Sequence, residues 1–122
     1  MLYAILCYND EKVVTSWTQA EDDAVMARLA VVHDRLTAEG TLGPAVRLRP
    51  TAAATTVRKT HPPVILDGPF AETKEQLLGF YVLECQSQDE ALAISRELAE
   101  ANPGGSYEIR PVSLFLPGHP VR

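Results

Sequence analysis

The sequence predicts an α+β protein with a ferredoxin-like fold, in which a split βαβ unit carries extra strands inserted before its second half. Residues 2–8 and 79–85 are apolar at both odd and even positions, as expected for strands that are covered on both faces. Two helices are predicted between strand segments, over residues 19–39 and 88–101, and each begins with a capping motif. The resulting order is strand, helix, strands, strand, helix, strand.

The first strand is predicted to be central in the sheet and is followed by a polar linker. Thr18 and Glu21 then have the spacing of a capping box, and Gly40 ends the first helix. The apolar residues that recur at helical intervals between them are Val25, Leu29, Val32 and Leu36.

Three short strands are predicted in the middle of the chain, over residues 44–49, 54–59 and 63–66. Pro50 and the run of residues 61–63 (HPP) separate them, because proline cannot continue the hydrogen-bond ladder of a central strand. These strands are the insertion in the split βαβ unit.

The second helix is predicted to begin after Ser87, which has Glu90 at capping-box spacing, and to end at residues 102–105 (NPGG). Residues 107–112 form the last predicted strand, which leads into a proline-rich tail. The apolar and small residues expected on the buried side of this helix are Ala91, Ile94, Ser95 and Leu98.

Length and charge exclude several classes of protein. The chain has 122 residues, so residues 1–122 are expected to form a single domain. The formal net charge of −5 argues against a nucleic-acid partner, because a nucleic-acid backbone requires a positive surface. No apolar run approaches the roughly 20 residues of a membrane span, and the first residues lack the basic start of a signal peptide.

Neither a metal site nor a cofactor site is predicted. Cys7 and Cys85 fit neither a redox pair nor a metal-binding motif, so both are expected to be reduced thiols in a cytoplasmic protein. The histidines, His33, His61 and His119, have no metal-ligand spacing to one another or to the cysteines. Glycine-rich nucleotide-binding motifs are absent as well.

A homodimer is expected because two helices on right-handed crossovers cover only one face of the sheet. The apolar side chains of residues 2–8 and 80–83 on the other face also need a cover, and a second subunit is the simplest one. A pocket for a small molecule is then expected between the sheet and the partner subunit.

Residues 67–81 hold the densest group of candidate functional side chains. Residues 67–70 (DGPF) predict a turn, and an AETKEQ segment leads from it into a strand that begins at residues 79–81 (GFY). This run resembles the signature of the DGPF family within the YCII-related superfamily, and the resemblance covers nearly the whole chain. It implies a dimeric α+β barrel and no particular reaction, since most members of the superfamily have no established activity.

Asp67 is the leading catalytic candidate. It ends a short predicted strand just before Gly68 and Pro69, where its carboxylate can accept backbone N–H bonds and hold the turn. The same carboxylate can instead serve as a general base or a ligand acceptor. Both roles remain open from the sequence.

His33 is a second candidate, because it lies about 70° from the centre of the apolar stripe of the first helix, where a half-buried imidazole can meet the sheet. In YCII-like relatives proposed to be enzymes, a histidine near the middle of this helix pairs with an aspartate. That position corresponds to Leu29 here. We therefore expect no direct bond between His33 and Asp67.

The remaining candidates also have two interpretations each. Thr73 and Lys74 belong either to a polar turn or to a ligand site. Tyr81 either packs in the core or faces a pocket, and Arg110 either forms an ion pair with a neighbouring strand or binds a ligand carboxylate. The main concentration of basic residues is either a solvated strand face or a rim that attracts a small anion; it comprises Arg47, Arg49, Arg58 and Lys59.

Two functions follow from these observations. The first is an enzyme or ligand-binding protein for a small aromatic or anionic metabolite, with a pocket lined by Asp67, Tyr81, Arg110 and His33. The alternative is a non-catalytic dimeric regulatory module. The resemblance supports that alternative, because relatives are often encoded beside alternative sigma factors.

Overall fold

Ten secondary-structure elements follow one another in the computed structural model, which describes residues 1–121. The helices are α1 (Glu11–Thr15), α2 (Gln19–Ala38) and α3 (Gln88–Ala101), with a 3-10 turn at Thr51–Ala53. The strands are β1 (Leu2–Asn9), β2 (Leu42–Arg47), β3 (Thr55–Arg58), β4 (Val64–Asp67), β5 (Gln76–Glu84) and β6 (Ser106–Pro111).

The main sheet has four antiparallel strands in the order β2-β5-β1-β6. β1 and β5 occupy its centre, as their doubly apolar sequences predicted. α2 and α3 connect strands of this sheet, whereas β3 and β4 form a separate two-stranded sheet inserted between β2 and β5. The predicted ferredoxin-like fold with inserted strands is therefore confirmed.

Capping interactions fix the two long helices within one residue of their predicted ends. The Thr18 hydroxyl accepts the backbone N–H of Glu21, and the Glu21 carboxylate accepts the backbone N–H of Thr18. Ser87 accepts the backbone N–H of Glu90 in the same way. Gly40 follows α2 with a φ of 75°, a left-handed conformation that glycine adopts without steric cost.

The predicted polar linker after β1 contains the short helix α1. The Asp10 carboxylate accepts the backbone N–H of Lys12 at 2.9 Å and so caps this helix. Its five residues are too few for a 3.6-residue period to be visible in the sequence.

The core lies between one face of the main sheet and the two long helices. Side chains at alternate positions of β1 and β5 point into it, as the period of two in a strand requires. The buried residues from the sheet are Tyr3, Ile5, Tyr81 and Leu83, and those from the helices include Val25, Leu29, Leu36, Ala91, Ile94 and Leu98.

The opposite face of the main sheet carries the intervening side chains of the central strands. It is apolar, half-buried, and directed away from α2 and α3, and its residues include Leu2, Ala4, Leu6, Phe80 and Val82. The expected cover by a second subunit stays a prediction. None of the helices in residues 1–121 has both the length and the apolar character of a membrane span.

The β3–β4 hairpin carries the DGPF turn at its end. Thr55 pairs with Asp67, and the next residue, Gly68, donates its N–H to the Ala54 carbonyl at 2.8 Å. The Thr56 hydroxyl donates to the Gly68 carbonyl, also at 2.8 Å. The turn is therefore held through the backbone of Gly68.

Candidate functional site

A cavity of about 310 Å³ lies between α2 and the helix-facing side of the main sheet. This volume is at the lower end of the range of small-molecule sites, roughly 300–1,000 Å³. The cavity lies on the face opposite the one where the sequence predicted a pocket. Its apolar wall includes Val14, Trp17, Val25, Met26, Leu29 and Leu78.

One stripe of α2 forms a long side of the cavity. Asp22, Met26, Leu29 and His33 recur every three or four residues, so they share one face of the helix. Asp22 and His33 are eleven positions apart, which corresponds to about 16 Å along the helix axis. The two polar residues of the stripe therefore mark opposite ends of the cavity.

His33 and Tyr81 form a hydrogen-bonded pair at one end of the cavity. The His33 Nε2 atom lies 2.9 Å from the Tyr81 hydroxyl, and the imidazole tautomer sets which of the two donates. The ring centroids are 5.3 Å apart in an edge-to-face arrangement. Only 8% of Tyr81 is exposed, because β5 points this side chain towards the helices.

Burial keeps both members of this pair neutral. Desolvation lowers the pKa of His33, and the nearby Asp34 carboxylate opposes that change only in part. Desolvation raises the pKa of Tyr81, and Tyr107 and Cys7 raise it further. A neutral imidazole can accept a proton and a neutral phenol can donate one, so the pair has the components for general acid–base chemistry.

Cys7 and Tyr107 line the cavity beside Tyr81. Burial raises the pKa of Cys7 to about 12, and burial with the neighbouring Cys7 raises that of Tyr107 to about 12. Cys7 is therefore a thiol at neutral pH and not an activated nucleophile. No sequence pattern connects Cys7 with Tyr107, because the two residues meet only through the pairing of β1 with β6.

An ion pair lies at the other end of the cavity. The Arg47 Nη2 atom is 3.0 Å from Oδ1 of Asp22, and Nη1 is 3.5 Å from Oδ2. Arg47 ends β2 and Asp22 belongs to the first turn of α2, so the pair joins the sheet to the helix. Both residues line the cavity.

Gly79 explains one part of the signature sequence. It lines the cavity where β2 approaches β5, and a Cβ atom added there would overlap the Val46 carbonyl oxygen. The register of β1 with β5 also shifts next to it, between Cys7 and Tyr8. The glycine before Phe80 is thus required by the close approach of two backbones.

The structure brings His33 and Tyr81 together and leaves the other predicted site residues outside this cavity. Asp67 is exposed on the hairpin, and its carboxylate makes no hydrogen bond within residues 1–121. Thr73 and Lys74 lie in the exposed segment that follows. Arg110 is exposed on β6 and pairs with Glu108 of the same strand, not with Asp67 or Glu84.

No group of three or more histidine, cysteine, aspartate or glutamate side chains is placed to hold a metal ion in the described part of the chain. The polar groups of the cavity include the His33–Tyr81 pair at one end and the Asp22–Arg47 pair at the other.

Comparison with known proteins agrees with this fold. An uncharacterized protein of Rhizobium meliloti (strain 1021) is 54% identical over 120 residues, which are 97% of each chain. A solved structure of 5-chloro-2-hydroxyhydroquinone dehydrochlorinase (TftG) from Burkholderia phenoliruptrix AC1100, in complex with 2,5-dihydroxybenzoquinone, shares the fold with a TM-score of 0.52. Its sequence identity is 16%, over 93% of this chain and 94% of that one. The model of the YCII-related domain matches residues 1–116, and the chain therefore belongs to the YCII-related family.

Proposed function

We propose that this protein is an enzyme that binds a small aromatic metabolite in the cavity beneath α2 and transfers a proton with the His33–Tyr81 pair. The observation that carries the proposal is the 2.9 Å contact between a desolvated imidazole and a buried phenol at one end of a cavity with a largely apolar wall. Titratable groups perturbed by burial in a cleft are a mark of functional sites.

The walls of the cavity favour an aromatic ligand. Trp17, Met26 and Leu29 offer broad apolar contact, and a ring that displaces water from them gains the free energy of apolar burial. A few polar groups then fix the orientation of the ring, as in most small-molecule sites. A volume of about 310 Å³ suits a ligand of one ring with short substituents.

The chemistry follows from the neutral state of the pair. The imidazole of His33 accepts the proton of a hydroxyl on the ligand ring. The negative charge that this leaves is shared with the ring carbon ortho to that hydroxyl. The Tyr81 hydroxyl donates a proton to that carbon, and the reverse steps restore the aromatic ring. General acid–base groups of this kind contribute roughly 10²–10⁴-fold to a rate.

The dehydrochlorinase with the same fold supports this class of ligand. Its name gives a chlorinated hydroxyhydroquinone as its substrate, and its structure was solved with a dihydroxybenzoquinone bound. A fold of this kind thus accommodates a small oxygenated ring. The reaction proposed for this chain rests on its own His33 and Tyr81, and Asp67 has no part in it.

Resorcinol, a neutral diphenol, tests both binding and proton transfer. We expect NMR titration to show binding that perturbs the His33 and Tyr81 rings, and the wild type to accelerate exchange of ring hydrogen for deuterium in D2O. His33→Gln and Tyr81→Phe should each slow this exchange at least tenfold. Asp67→Asn is the control and should leave both the affinity and the exchange rate within twofold of wild type.

Each unfavourable outcome points to a different correction. If resorcinol binds but its ring hydrogen does not exchange faster, the proposal of an enzyme is wrong and a non-catalytic binding module is favoured. If only Asp67→Asn lost the hydrogen–deuterium exchange activity, Asp67 on the β3–β4 hairpin would be the catalytic residue instead of the His33–Tyr81 pair. If wild-type protein does not bind resorcinol, the aromatic class of ligand is wrong.

A further inference from the structure

We propose that Arg47 selects the substrate by binding a carboxylate, which displaces Asp22 from the guanidinium. This inference rests on the function proposed above and specifies the ligand further, as a hydroxylated aromatic ring that bears a carboxylate on a short chain. Arg47 is then a specificity-determining residue at the end of the cavity opposite His33.

The contact with Asp22 shows how Arg47 would hold such a ligand. Two guanidinium nitrogens face two carboxylate oxygens, at 3.0 and 3.5 Å, which is the paired arrangement in which arginine recognises carboxylates. The guanidinium is already oriented at the cavity wall by this contact. The Asp22 carboxylate therefore occupies the position that a ligand carboxylate would take.

Replacement of the Asp22 carboxylate by a ligand carboxylate costs little free energy, because the ion pair is accessible to solvent. The side chain of Arg47 is 57% exposed and that of Asp22 is 26% exposed, so water screens their attraction. Once released, the Asp22 carboxylate can turn towards solvent. A ligand whose ring is buried in the cavity holds its carboxylate close to Arg47, so it competes there with the Asp22 carboxylate that the chain itself holds in place.

Arg47 is the one permanent cation among the cavity-lining residues that the structure describes. His33 is neutral at the far end because burial lowers its pKa, so it offers no competing charge. The chain as a whole has a formal net charge of −5 and repels anions at long range. Selection of an anion at this site therefore depends on Arg47.

The length of the cavity sets the shape of the ligand. On the strand side of the cavity, Ala45 pairs with Tyr81 and Arg47 pairs with Gly79, so Arg47 and Tyr81 are offset by two residues, about 7 Å along the strands. A ring hydroxyl at the His33–Tyr81 pair and a carboxylate at Arg47 would therefore lie at opposite ends of one short molecule. A para-substituted ring meets this requirement.

Two probes of nearly equal shape isolate the charge: 4-hydroxyphenylacetate and 4-hydroxyphenylacetamide. We expect wild-type protein to bind the acid at least fivefold more tightly than the amide in NMR titrations at low ionic strength. Arg47→Gln should abolish this preference, so that the acid and the amide bind with equal affinity. Asp22→Asn should tighten binding of the acid, because it removes the competing carboxylate.

Arg49→Gln is the matched control, because it makes the same charge change two residues further along and outside the cavity lining. It should keep the preference for the acid. Arg47→Lys adds a second test that preserves charge, and it should retain only part of the preference because it loses the planar fork.

Several results would overturn the inference. Equal affinity for acid and amide in the wild type would do so, as would a preference that survives in folded Arg47→Gln or Arg47→Lys protein unchanged. These results leave the proposed function intact when the amide still binds and perturbs Tyr81. Failure of wild-type protein to bind either probe would count against the inference and the proposed function together.

Discussion

At the scale of single residues, the sequence indicated His33 and Tyr81 as candidates but could not pair them. Helical geometry placed His33 at the edge of the apolar stripe, and alternation along the strand left either face open to Tyr81. Their hydrogen bond joins residues 48 positions apart, and only the packing of α2 on β5 brings them together. Asp67 was favoured because of its dense polar neighbourhood in the sequence, yet the hairpin holds that neighbourhood in solvent.

The lowered pKa of His33 predicts how stability depends on pH. Between the pKa of the folded state and the value of about 6.5 in the unfolded chain, the unfolded state binds more protons. The contribution of neutral His33 to stability is therefore complete above pH 6.5 and decreases as the pH falls through this window.

Urea unfolding of wild-type and His33→Gln protein between pH 5 and 7.5 measures this contribution. The difference in unfolding free energy between the two proteins should shrink as the pH decreases, and NMR titration should place the His33 pKa below 6.5. A His33 pKa above 6.5 would contradict the prediction.

At the scale of elements, capping residues and apolar spacing predicted both long helices because those signals are local in sequence. The short helix α1 was not predicted from the sequence, because it depends on one cap at Asp10 and has no buried apolar stripe. The middle strands were predicted as an insertion, but their pairing into a separate sheet depends on contacts that sequence spacing does not encode. A pocket was expected between the sheet and a partner subunit, on the other face. Strands that are apolar on both faces do not indicate on which face the packing leaves a cavity.

The packing of α3 gives a test at this scale. Leu98 is fully buried, so Leu98→Ala should lower the unfolding free energy by roughly 2–5 kcal/mol through lost burial and an unfilled space. Leu92 lies on the same helix and is 38% exposed, so Leu92→Ala is the matched control with a clearly smaller loss. Equal losses in urea denaturation would show that α3 is not docked as described.

At the scale of the whole molecule, the face of β1 and β5 that points away from the two long helices is apolar and half-buried. The helices cover only the face that contains Tyr3, Ile5 and Leu83. We propose that a second copy of the chain covers the other face, since stacked sheets bury such side chains at a separation of about 10 Å.

Light scattering should then give twice the mass of one chain at micromolar concentration. Phe80→Glu places a charge on this face and should shift the protein towards monomers. Val31→Glu makes a similar change at a residue of α2 that is 72% exposed and should leave the mass unchanged. A stable wild-type monomer at this concentration would refute the dimer.

The close approach of β2 to β5 at Gly79 also limits how this cavity can change. Its wall there consists of main-chain atoms, which no substitution can trim away, and a larger residue at Gly79 would force the strands apart. The opposite wall consists of α2 side chains such as Met26 and Leu29, which a single substitution can shorten or enlarge. Substitutions that change which ligands fit this cavity should therefore fall mainly on α2, because the main-chain wall at Gly79 keeps its shape.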